Sequence, residues 1–158
     1  MRTLLPPLIA GLLLLAGSPS SPVGAQGTPP LAVVVAQSAP IDAMSLSELR
    51  RVFLGQTVEK GGVKLIPLNH PIKTGHRTRF DRAVLKMSPD EVGRYWVAER
   101  IRGARSAPKS VNSSVLLMKV VAKIPGAISY VPMNEVRPGL KVVRIGGKTP
   151  GDPGYPIP

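Results

Sequence analysis

The chain has 158 residues, no cysteine, and 21 Lys+Arg against 9 Asp+Glu, for a formal charge of +12. That length suits one domain, and the missing cysteine excludes disulfides, thiolate-bound metals, a thiol nucleophile and a lipid anchor on an N-terminal Cys. An aromatic content of 4% argues against a base-stacking surface, so the charge points to anionic partners other than nucleic acid.

Residues 1–25 read as a secretory signal peptide. Arg2 supplies a positive charge, residues 8–16 are apolar apart from Gly11, and Val23-Gly24-Ala25 suits a cleavage site. The apolar run is too short to span a bilayer, which takes roughly 20 residues. The expected product is periplasmic or secreted, cut near Ala25 and not lipid-anchored. Residues 26–30 form a polar, Pro-rich lead-in.

The domain itself spans residues 31–146. Residues 31–36 (LAVVVA) have the unbroken apolar pattern of a strand buried on both faces. Ser45 and Glu48 form a capping box, Leu46, Leu49 and Phe53 follow at helical spacing, and Gly55 closes the helix. Residues 63–68 (VKLIPL) predict a second strand. Phe80, Ala83, Val84 and Met87 then share one stripe of a helix starting near His76. Ser88-Pro89-Asp90-Glu91 opens another helix, with Val92, Tyr95, Trp96 and Glu99 on one face. Residues 115–124 predict a helix buried on most sides, with Leu116, Leu117 and Val120 against a sheet. Residues 127–131 (AISYV) and 140–145 (LKVVRI) are strands, and residues 147–158 are a Gly/Pro-rich tail. The order β-α-β-α-α-α-β-β implies a single three-layer α/β domain with a mostly parallel, mixed sheet.

Several motif matches carry no chemistry. Lys73-Thr74-Gly75 and Ser106-Ala107-Pro108-Lys109 spell two β-lactamase motifs in reversed chain order, and the S-D-N element is missing. Gly147-Lys148-Thr149 ends like a phosphate loop, but Val142 stands where its first glycine belongs. His70 and His76, the only histidines, lack the neighbouring acids of a metal site. Asp81 is expected to pair with Arg77 on a helix surface, four residues apart. No catalytic constellation, metal site or cofactor is expected.

The loop from Asn69 to Phe80 is the informative segment. It joins a strand to a helix start, where free N–H groups and the helix dipole favour an anion. The candidate contacts are the Thr74 hydroxyl, the backbone around Gly75, and the side chains of His70, His76 and Arg77. With histidines in the set, binding is expected to tighten as pH falls through their ordinary range, near ~6.5.

Here the chain resembles the phosphate-type periplasmic substrate-binding proteins, in the second of their two lobes. Residues 31–56 resemble that lobe's opening strand, loop and s-L-s-x-x-x-L-x-x-I-F-x-G helix, through Ser45, Leu46, Leu49, Val52, Phe53 and Gly55. Residues 74–80 are similar to the anion loop S-G-T-R-x-x-F, and Tyr95-Trp96 with Gly103 to a Trp helix and its following turn. Residues 125–131 are similar to P-G-A-I-G-Y-V. The resemblance runs over residues 31–145 and implies a periplasmic-binding-protein-like lobe. His76 replaces the family Thr, His70 stands where phosphate binders commonly carry Arg, and Ser129 replaces a Gly.

The resemblance implies an exported phosphate- or oxyanion-binding module, with an ABC-transporter permease as a possible partner. A lone lobe would need a second one, from a homodimer or another chain, to enclose its ligand. The alternative readings are an accessory interaction domain that keeps the fold without binding solute, and a basic protein coating an anionic surface. N-terminal sequencing of exported protein should begin at Gln26; material beginning at Met1 would refute the leader.

Overall fold

The computed structural model describes residues 27–158. The expected signal peptide, its cleavage after Ala25 and Gln26 lie outside the described residues.

In chain order the elements are β1 (Leu31–Ala36), β2 (Ala43–Met44), α1 (Leu46–Phe53), β3 (Glu59–Lys60), β4 (Val63–Lys64) and β5 (Ile66–Asn69). There follow α2 (Gly75–Phe80), α3 (Pro89–Ile101), β6 (Lys109–Ser110), α4 (Ser114–Lys123), β7 (Ala127–Pro132), β8 (Leu140–Val142) and β9 (Arg144–Ile145). A π-helical turn, Asp81–Leu85, extends α2 and ends at Lys86 with φ 59. Capping boxes at Ser45 and Ser88 start α1 and α3. Two expected strands each divide in two: β4 gives way to β5 at Leu65, and β8 to β9 at Val143. β8 stays in the main sheet beside β1, whereas β9 pairs with β2.

The main sheet has the order β6-β5-β7-β1-β8. β5 runs parallel to both β6 and β7. β1 is antiparallel to both β7 and β8. Four strands therefore share one direction and β1 alone opposes them, a mixed and mostly parallel sheet of the α/β class. The close turn into β7 requires Gly126, with φ 85, because a Cβ there would collide with the Lys64 carbonyl.

All six residues of β1 are buried, and the first five alternate between two cores. Leu31, Val33 and Val35 face a layer built from Leu49, Val52, Phe53, Phe80, Val84 and Val92. Ala32 and Val34 face Leu117, Met118 and Val121 of α4. These are the three layers. The buried face of α4 is not the expected one. Leu117 is fully buried as anticipated, but its companions are Met118 and Val121, while Leu116 is 53% exposed and Val120 only partly covered. The chain is apolar around most of α4, so periodicity does not choose its face; the sheet contact does. The Gly/Pro-rich segment after Gly146 also returns to the core: Ile157 is fully buried and its carbonyl accepts from Leu31 N–H at 3.3 Å.

Leu117→Ala should lower stability by about 2–5 kcal/mol, and Leu116→Ala by no more than about 0.5 kcal/mol. Urea unfolding of both variants checks which face α4 buries.

Candidate functional site

β5 and β7 are parallel neighbours, so their carboxyl ends lie on the same edge of the sheet. The loop into α2 leaves from that edge and is tied to β7 by side chains. Ser129 Oγ donates to the Leu68 carbonyl at 2.9 Å. The Tyr130 hydroxyl donates to Asn69 Oδ1. His70 Nε2 lies 2.7 Å from the Tyr130 carbonyl; a carbonyl only accepts, so that nitrogen carries the proton. The Tyr130 ring stacks on Phe80 at 3.7 Å between centroids, which joins the start of the loop to the end of α2.

His70 is buried, and burial holds its imidazole below its ordinary pKa of 6.5. The Tyr130 carbonyl opposes that shift, His76 adds to it, Glu135 opposes it and Arg77 adds to it again. His70 thus donates within the protein to the Tyr130 carbonyl, and its burial favours the neutral imidazole.

Thr74 is the N-cap of α2: its hydroxyl donates to the Pro71 carbonyl at 2.9 Å and accepts from Arg77 N–H at 3.4 Å. Arg77 does pair with Asp81, but inside the protein and not on the surface. Its Nε donates to Asp81 Oδ2 at 2.6 Å, with side-chain exposures of 6% and 3%. Its Nη1 donates to the His70 carbonyl at 3.2 Å, so the arginine holds the loop from beneath. Burial raises the Asp81 carboxyl above its ordinary value, and Arg77 opposes that rise. The other carboxylate oxygen of Asp81, Oδ1, is buried with no partner.

Two of the five candidates remain open. Gly75 is exposed, with nothing within 4 Å of the position a Cβ would take. His76 is half-exposed, its ring 5.7 Å from that of His70. Among the described residues, the backbone N–H groups of Gly75 and His76 have no hydrogen-bond partner. The fold thus brings all five candidates into one loop, where three side chains are engaged in shaping it and two residues face outward. Asn69, Ser129 and Tyr130 were not anticipated in this role, because their function is to bridge strands 60 residues apart. Among the described residues no group of three or more His, Asp or Glu is placed to hold a metal ion.

No protein-family model matches the chain. Solved structures do. An ABC-type phosphate transport receptor from Vibrio cholerae superposes with a TM-score of 0.61 at 18% identity, covering 77% of this chain and 48% of its own. A phosphate ABC transporter substrate-binding protein from Clostridium perfringens, solved with bound phosphate, gives 0.61 at 15% identity, covering 75% and 46%. PstS from Borrelia burgdorferi gives 0.55 at 13% identity, covering 77% and 49%. The chain spans just under half the length of each. Its fold is that of a single lobe of phosphate-type substrate-binding proteins.

The buried imidazole sets a pH dependence of stability. The unfolded chain binds a proton at His70 near pH 6.5, whereas the folded chain resists it. Stability from this group is complete above pH 6.5 and is lost as pH falls through the lower folded value. His70→Gln, compared with the native chain by urea unfolding at pH values above and below 6.5, should abolish that part of the acid sensitivity.

Proposed function

We propose that this chain is an exported, non-enzymic binding lobe that contributes half of an oxyanion site, with inorganic phosphate as the prototype ligand. The reading rests on the unpaired N–H groups of Gly75 and His76 beside the half-exposed His76 imidazole. They sit at the carboxyl edge of two parallel strands, where open α/β sheets bind ligands. Backbone donors at a helix start suit a tetrahedral oxyanion. His70, Thr74 and Arg77 act as positioning residues that fix the loop, in place of the direct contacts the sequence suggested for them. The superposed proteins include a phosphate transport receptor and a phosphate ABC transporter substrate-binding protein that holds bound phosphate.

One lobe covers only one side of a ligand, so the isolated chain should bind weakly, in the millimolar range. A second lobe, from a homodimer or another chain, would close the site, and a membrane permease is the partner such a lobe serves. One observation favours the alternative of an accessory interaction domain without solute: the Arg77, Thr74 and His70 side chains already have partners inside the protein, in Asp81 with the His70 carbonyl, the Pro71 carbonyl and the Tyr130 carbonyl. Lost solute binding would leave the loop in this self-contained state.

Gly75→Pro separates the two readings. Gly75 is the first helical residue after an extended Thr74 with φ −79 and ψ 146, so proline fits both positions and removes one N–H. Calorimetric titration of the mature chain with sulfate and with phosphate should show millimolar binding that Gly75→Pro weakens severalfold without loss of folding stability. Absence of binding to both anions would favour the interaction domain.

A further inference from the structure

At the β6 edge of the sheet the β5–β6 ladder has only two rungs, Leu68 with Lys109 and Asn69 with Ser110. The preceding rung would set Pro67 against Pro108, and neither residue can donate an N–H. The two segments part there, and a cavity of about 490 Å³ opens between them and the end of α1. That volume lies within the range of small-molecule sites, about 300–1,000 Å³.

The cavity has an apolar lining with a cationic rim. Val52, Leu65 and Leu68 line it, and Ile66 is left 45% exposed beside them. Among the described residues, Lys64 and Lys109 are the only charged ones in its lining, and no carboxylate lines it. Neither lysine makes a salt bridge among the described residues. Glu59 faces Lys64 across the β3–β4 hairpin but is not part of the lining. The wall closes tightly at Gly55, with φ 75, where a Cβ would lie 3.1 Å from the Trp96 ring and 3.3 Å from Arg105 Cβ and the Ser106 carbonyl. The cavity flanks the amino-terminal half of β5, whereas the oxyanion loop leaves its carboxyl end.

We propose that this cavity binds a small organic anion with an apolar body, such as an aromatic sulfonate or carboxylate. The apolar body covers the exposed Ile66, and the acid group pairs with Lys64 and Lys109. Neither lysine has a competing carboxylate in the lining, so an anionic guest is favoured over a neutral one of the same shape.

The probe is anilinonaphthalene sulfonate, titrated into the mature chain and followed by fluorescence, with uncharged phenylnaphthylamine as the control. The expected result is saturable one-to-one binding of the sulfonate and distinctly weaker binding of the neutral analogue. Lys64→Gln with Lys109→Gln should weaken sulfonate binding about tenfold, the factor one charge-assisted hydrogen bond sets. Ala107→Trp, which fills the cavity from an exposed segment of its wall, should abolish binding while the unfolding midpoint stays unchanged. Non-saturable binding, equal affinity for both probes, or unchanged affinity in both variants would each overturn the proposal.

Discussion

The structure depends on a single requirement: β1 has no polar side chain and must be covered on both faces. A strand on the surface of a two-layer sandwich needs only alternate residues to be apolar. Six consecutive apolar residues, all buried, demand a layer above and a layer below. Burying a side chain of this kind contributes about 1.5–3 kcal/mol, so leaving either face open would forfeit several such contributions. The first layer comes from α1, α2, the π-turn and α3, and the second from α4. The segment around Tyr155 and Ile157 completes the first, with the Tyr155 hydroxyl donating to the Leu31 carbonyl at 2.9 Å.

Covering both faces also decides where polar chemistry can be placed. The sheet's flanks are occupied, so polar groups gather at the carboxyl edge of β5 and β7. There the polar side chains divide between building the loop and facing solvent. Arg77 illustrates the first role. A buried guanidinium is costly unless paired and hydrogen-bonded, and Asp81 with the His70 carbonyl supplies both conditions. The pair leaves Asp81 Oδ1 unsatisfied, so removing either charged partner would expose the full desolvation cost of the other. His70 follows the same logic as a neutral donor. The loop is shaped from inside, and outward it presents the Ile72 and Lys73 side chains together with the backbone at Gly75 and His76.

The half-site we propose would suit a chain that superposes on just under half of each phosphate-type receptor. A single lobe can orient an oxyanion on a few N–H groups but cannot remove water from its other side. Affinity then depends on what meets the loop from outside the chain. The apolar cavity at the β5–β6 edge is independent of that partner. Its origin is local, in two prolines that stop a ladder, and part of its lining comes from β5, the strand that leads into the loop before α2.

The local elements were legible in the sequence where a residue type has one structural use. The unbroken run of β1 and the capping boxes of Ser45 and Ser88 each matched a specific backbone requirement. The resemblance of residues 74–80 to an anion loop also located the segment where the five candidates meet. The expected face of α4, with Leu116 and Val120 beside Leu117, differs from the buried one, because a helix apolar on most sides has no preferred face until a sheet is beside it. The sequence suggested His70, Thr74 and Arg77 as anion contacts, without showing the partners those side chains have inside the protein. A donor's use depends on which acceptor lies nearest in space, and the Tyr130 carbonyl that takes His70 is 60 residues away. By itself the sequence determined the α/β class and the position of the loop, since both follow from short-range periodicity and turn chemistry. Only the tertiary structure decided which donors are free to meet a ligand, because that depends on burial and on contacts between distant segments.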